Sequence, residues 1–132
     1  MKETILIDTQ ILIWMALQPD KLSLPAKRYI ESANTLFISN ASIWEMAIKV
    51  KTDKLNVEYE LEAFIEMAIE KHQLKLLPIL LSDIYYTQKL PLHHRDPFDR
   101  IIAAQSLVQN IPLISSDEIF DAYNVNRLWQ LK

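Results

Sequence analysis

Four carboxylates stand far apart in the chain, and three of them lie close behind short apolar runs. Asp8 follows TILI, Glu45 comes soon after LFIS, Asp117 follows PLISS, and Asp99 sits in HHRDPFDR. Acids gathered at one place repel and raise one another's pKa, and several stay ionised together most readily around a cation. With oxygen ligands, no cysteine and no obvious histidine pair, that cation would be hard, Mg²⁺ or Mn²⁺ rather than zinc. Such a centre suits phosphodiester hydrolysis, in which one or two metals deprotonate and orient water and neutralise charge on the phosphate and leaving oxygen. No protein nucleophile is then required.

Each acid also has a local explanation. In HHRDPFDR, Asp96 precedes Pro97, and Asp at the N-cap, Pro at the first helical position and an acid in the first turn all favour a helix start. On that stretch alone the cap is the favoured reading. Ser42 with Glu45, and Ser115 with Glu118, have the S-x-x-E spacing of a capping box. What favours a shared site is the order of elements that must carry these residues.

Short β-prone runs at 4–7, 36–39, 74–77 and 112–114 alternate with helix-like segments at 9–17, 24–33, 41–51, 58–72, 82–89 and 97–109. This alternation predicts an α/β fold with a largely parallel central sheet, and no linker or repeat divides residues 1–132 into more than one domain. In open parallel sheets, ligands bind at the carboxyl ends of the strands. The strand ends and the starts of the following helices share that edge, so the four acids converge there.

Composition narrows the class further. Half of the 132 residues are hydrophobic, enough for a conventional packed core. The net charge of -3 supplies no general positive field for nucleic acid, so any phosphate contact must be local or metal-mediated. The absence of cysteine removes disulfides and thiolate chemistry and fits a reducing cytoplasm. Without glycine there is no P-loop and no dinucleotide fingerprint; positive-φ positions are expected at asparagines such as Asn34, Asn56 and Asn110. The first apolar run is interrupted by Asp8 and Gln10, which makes it a poor signal peptide and too short to span a bilayer. In segment 58–72 the acids Glu58, Glu62, Glu66 and Glu70 recur every fourth residue, as on a solvated helix face.

The stretches LIDTQILIW, SNASIWEMAIKVKTDKL, HHRDPFDRIIAAQSL and LISSDEIFDAY, followed by RLW, run in the order found in PIN-domain ribonucleases. Together they resemble the VapC-type toxins of bacterial type II toxin-antitoxin pairs. The resemblance implies an α/β/α sandwich, a homodimer, and Mg²⁺-dependent RNA cleavage inhibited by a cognate antitoxin. It places Asp8, Glu45, Asp99 and Asp117 in the family's acidic quartet, as metal ligands and catalytic residues. Asp96 also matches a family position, but its place before Pro97 suits a cap better than a ligand. The chain departs from the pattern at Asp53, where the family often has glycine, and at Ser116, where a basic residue often precedes the last acid.

Thr9 and Ser115 are expected either to orient carboxylates or to serve as plain turn and cap residues. Lys49 and Arg100 are the leading candidates for phosphate contact, ahead of Lys51, Lys54 and Arg95. His93 and His94 resemble general acid or base candidates that a metal-hydroxide mechanism does not need. Trp14, Trp44 and Trp129 are expected in core or interface packing. Two rivals remain. An aspartyl-phosphate phosphotransfer domain would want an acidic neighbour beside Asp8 and a lysine after a late strand, and neither is present. A non-catalytic module of the same fold would not need the quartet.

Overall fold

The computed structural model describes residues 3–92 and 96–130. Its first strand, β1 (Thr4–Ile7), shows why the sheet is central: Ile5 and Ile7 pack into one apolar cluster while Leu6 packs into a second on the opposite face. A strand buried on both sides must be covered by helices on both sides.

The chain continues through α1 (Thr9–Leu17), a 3₁₀ turn at Pro19–Lys21, α2 (Leu24–Ser32), β2 (Thr35–Ser39) and α3 (Asn40–Lys51). Then come α4 (Leu61–His72), β3 (Leu74–Leu77), α5 (Leu81–Thr87), α6 (Pro97–Gln109) and β4 (Leu113–Ile114), followed by a 3₁₀ helix at Glu118–Tyr123 and β5 (Arg127–Leu128). All pairings are parallel and the strand order is β3-β2-β1-β4-β5. The chain thus moves outward from β1 through β2 to β3, then returns to pair β4 on the other side of β1. Such a reversal opens a crevice beyond the carboxyl ends of the strands. One apolar cluster joins α1, α2 and α4 to the sheet, and the other joins α6 and the 3₁₀ helix to its opposite face. The expected three-layer α/β/α sandwich is the observed architecture.

Several boundaries differ from expectation for identifiable reasons. The helix expected from 58 begins at Leu61, where the inward face of Phe64, Ile65 and Ala68 begins, and Glu60 supplies no capping bond. Helix 97–109 starts as predicted, with Asp96 Oδ1 accepting from the Phe98 N–H at 2.9 Å. The left-handed positions are Asp53, Gln73, Asn110 and Asn124, so Asn110 meets expectation while Asn34 and Asn56 do not. Helix α2 instead leaves through extended backbone at Ala33 directly into β2, and needs no left-handed residue there. Exposed Glu62, Glu66 and Glu70 form the solvated face of α4. No helix among the described residues is long and apolar enough to cross a membrane.

Candidate active site

At the carboxyl edge of the sheet lies a polar cleft of about 530 Å³. Asp8, Glu45, Asp99 and Asp117 all line it, together with Asp96 and Lys49. Four segments distant in sequence therefore deliver their acids to one place, as the strand order requires.

Asp8 stands where β1 gives way to α1. It is both a strand-end acid and a helix cap, since its Oδ1 accepts from the Ile11 N–H at 2.9 Å. Only 7% of the residue is exposed. Burial pushes its carboxyl up to about 6, and the charges of Asp117 and Glu45 push the same way; hydrogen bonds from Ser115 and the Ile11 backbone offset part of the rise.

Glu45 projects from α3 and is held at both oxygens. The Thr9 hydroxyl donates to Oε1 at 2.6 Å and also lies 2.9 Å from Ser42 Oγ, while Lys49 Nζ is 3.2 Å from Oε2. The capping box expected of Ser42 and Glu45 does not form. Helix α3 starts earlier, at Asn40, with Ser39 Oγ accepting from the Ala41 N–H, which leaves Ser42 buried within the first turn. Thr9 thus contacts a quartet carboxylate directly.

Ser115 has a similar history. It does not cap with Glu118, because Asp117 takes that position and accepts from the Ile119 N–H at 3.0 Å. Fully buried, Ser115 hydrogen-bonds Asp8 and accepts from the Asp117 N–H at 3.0 Å, which ties two of the four acids to one hydroxyl. Asp99 lies in the first turn of α6, three residues beyond the Asp96 cap, and both acids reach the cleft lining, Asp96 while also capping the helix.

Arg100 is placed differently from its expected substrate-binding role. Its guanidinium donates to the carbonyls of Pro91, Thr87 and Leu90 at 2.9, 2.6 and 3.4 Å. These acceptors lie at and just beyond the end of α5, and the planar, fully charged fork of Arg100 on α6 binds them together. Lys49 does face the cleft, but paired with Glu45. Arg95, His93 and His94 lie outside the described residues.

Three further features escaped sequence reasoning. Gln10 and Ser116 line the cleft. Arg127 braces the loop that carries Asp117: it pairs with both oxygens of Asp121 at 2.9 and 3.0 Å and donates to the Ser115 carbonyl at 3.1 Å. Only the RLW stretch hinted at it, since a bond between a late strand and a preceding loop has no local spacing. Among the described residues, no group of three acidic or histidine side chains is closed around a single point as a ready metal site.

Comparison with known proteins agrees with this geometry. A curated relative, "Ribonuclease VapC22" of Mycobacterium tuberculosis (strain ATCC 25618 / H37Rv), is 24% identical over 115 residues, spanning 86% of this chain and 87% of the relative. Among solved structures, VapBC2 from Rickettsia felis bound to a promoter DNA fragment superposes with a TM-score of 0.71 at 16% identity, over 94% of this chain and 96% of that one. FitAcB from Neisseria gonorrhoeae gives a TM-score of 0.69 at 17% identity, covering 96% and 99% of the two chains. These structures share the fold. The PIN domain family model matches residues 5–126, nearly the whole chain, and the chain belongs to the PIN domain family.

Proposed function

We propose that this protein is a metal-dependent endoribonuclease and the toxin of a type II toxin-antitoxin pair. The observation that carries the reading is the cleft itself, where four acids from four separate segments line one crevice and the most buried of them has its pKa raised to about 6. A carboxyl in that state is destabilised as a bare anion, and a cation relieves the cost. The relative named as a ribonuclease supports the substrate class.

The donor set fits Mg²⁺ or Mn²⁺ in kind, being all oxygen. Asp8, Glu45, Asp99 and Asp117, which all line the cleft, would hold the ion. When bound, the ion supplies an activated water and neutralises charge on the scissile phosphate. The remaining work falls to the chain. Thr9 fixes the Glu45 carboxylate, Ser115 fixes Asp8 relative to Asp117, and Asp96 starts the helix that presents Asp99. A phosphotransfer role fits less well: β4 is followed by Ser115 and Ser116 rather than by a lysine.

A structural neighbour solved as a toxin-antitoxin complex, from Klebsiella pneumoniae, supports a protein partner. In our reading an antitoxin inserts a basic or polar C-terminal segment into the acidic cleft, where an Arg pairs with a carboxylate. Its apolar anchor rests on α1 and α3; a groove of about 780 Å³ that includes Leu17, Tyr59 and Met67 extends that surface from α1 to α4. A homodimer working in the cytoplasm completes the proposal. The test is cleavage of a cellular RNA pool with mapped ends, with and without Mg²⁺. Discrete metal-dependent cuts are expected; an intact pool under both conditions would sink the reading and leave the non-catalytic module.

A further inference from the structure

Of the three tryptophans, Trp14 and Trp129 pack against one another, with ring centroids 5.9 Å apart, and both adjoin the apolar core. Trp14 also lines the acidic cleft, whereas Trp44 lies beside that lining and is 63% exposed. Its ring is nonetheless held in place, edge-to-face with Phe98 at 5.2 Å and 88°. That contact fixes its position relative to the acids. Trp44 directly precedes Glu45 on α3, and Phe98 directly precedes Asp99 on α6, so the aromatic pair bridges the two helices that present two of the four cleft acids.

The charges around the cleft sharpen the question of what holds a polyanion there. Lys49 is paired with Glu45, Arg100 is committed to three backbone carbonyls, and Arg127 is paired with Asp121. These cations already have internal partners, and the chain as a whole is acidic. Lys51 and Lys54 are exposed at and just beyond the end of α3, so grip on a nucleic acid beside the cleft gains from a contact that does not depend on charge. An exposed, positionally fixed indole provides one, since every base has a face on which an aromatic ring can stack.

We propose that Trp44 is a stacking platform for an unpaired base next to the scissile phosphate, a positioning residue that sets substrate affinity and base preference at that position. The inference rests on the ribonuclease reading above. It adds that the substrate is single-stranded at the cut, because a base must be splayed out to reach the ring. Phe98 supports the indole from the side, and the acids beyond it receive the backbone.

The test uses full-length wild-type protein and the variants Trp44→Leu and Trp44→Tyr. Binding of labelled single-stranded oligo(U) is measured in EDTA by fluorescence anisotropy across a salt series, beside an abasic ribose-phosphate oligomer of equal length. Sedimentation of each variant and mapped cleavage of an RNA pool with Mg²⁺ accompany it. Trp44→Leu is expected to bind oligo(U) about tenfold more weakly. Its salt slope should be unchanged because no ionic contact is lost. Trp44→Tyr should recover most of the affinity, and the abasic oligomer should bind wild type and Trp44→Leu alike. In cleavage, KM should rise more than kcat falls, with altered base preference beside the cut. Equal affinity of wild type and Trp44→Leu for oligo(U) would overturn the proposal. So would a change in sedimentation without a change in RNA affinity, which would make Trp44 a protein-interface residue. Wild type that cleaves the pool yet fails to bind oligo(U) would defeat the stacking inference alone; wild type that does neither would defeat the ribonuclease reading with it.

Discussion

The floor and the rim of the cleft are built on opposite terms. The floor consists of Asp8, Thr9, Ser42 and Ser115, all buried and all linked by hydrogen bonds to one another or to a quartet acid. At the rim, Asp117 is exposed and Asp96, Asp99, Glu45 and Lys49 are half-buried, with the exposed Trp44 beside them on α3. Charge on the floor is desolvated, so its protonation depends on the surrounding structure; charge on the rim is screened by water and ions. Substitutions on the floor should therefore change stability and its pH dependence, whereas substitutions at the rim, apart from the Asp96 cap, should alter activity or affinity with little effect on folding.

Asp8→Asn should give the largest effect on stability. The folded Asp8 carboxyl holds its proton more tightly than the unfolded one, at about 6 against 3.8. The stability linked to that proton is fully present below about pH 4 and is lost as pH rises through about 6, and the raised pKa corresponds to about 3 kcal/mol. Asn keeps the cap on Ile11 without the charge. Denaturant melts should find Asp8→Asn more stable than wild type at pH 8, by up to about 3 kcal/mol, with the gap closing toward pH 4. A constant gap across that range would show that desolvation of Asp8 is not its cause.

Ser115→Ala should come next. It removes the hydroxyl that links Asp8 to the Asp117 N–H, and losing such a buried partner costs about 1–3 kcal/mol. The accompanying signature is a further rise in the Asp8 pKa, read by NMR titration of its carboxyl carbon. An unchanged Asp8 titration would mean that Ser115 supports the loop only.

The smallest effect belongs to Asp53→Gly, which lies away from the cleft and serves as the control. Asp53 has φ of 59°, and the Lys54 and Leu55 N–H groups close the end of α3 on the Lys49 carbonyl. Glycine carries no steric penalty in that conformation, so the variant should gain under about 1 kcal/mol, with no pH dependence between 4 and 8 beyond that of wild type. A loss of stability would show that the Asp53 side chain holds the turn.

The layered α/β plan was legible because the strands are short runs buried on both faces and the helices between them have long apolar faces. The cleft was legible for the same reason: parallel strands fix which edge their ends share, so Asp8 and Asp117 could be brought together without coordinates. Local motifs were less reliable. The two S-x-x-E patterns looked like capping boxes, yet tertiary burial draws Ser42 and Ser115 inward beneath the acids. Arg100 was a candidate for phosphate contact, and its bonds to the Thr87, Leu90 and Pro91 carbonyls were hidden because they join segments with no local spacing. The two-residue strand β5 and the Arg127 brace were invisible, since both depend on contacts with distant segments. Trp44 shares its residue type with two packed tryptophans and differs from them only in where α3 turns it.

The central claim is that the rim acid Asp99 serves chemistry while Asp96, three residues earlier, serves the helix. The most direct test compares Asp99→Asn and Asp96→Asn for Mg²⁺-dependent cleavage of one mapped RNA, with thermal melts of both proteins. Asp99→Asn should lose cleavage by roughly 10³-fold, as expected when several kcal/mol of charge stabilisation are removed, and should melt like wild type. Asp96→Asn should cut at near wild-type rate, because Asn caps a helix about as well as Asp. An active Asp99→Asn beside an inactive Asp96→Asn would reverse the assignment and contradict the account of the cleft.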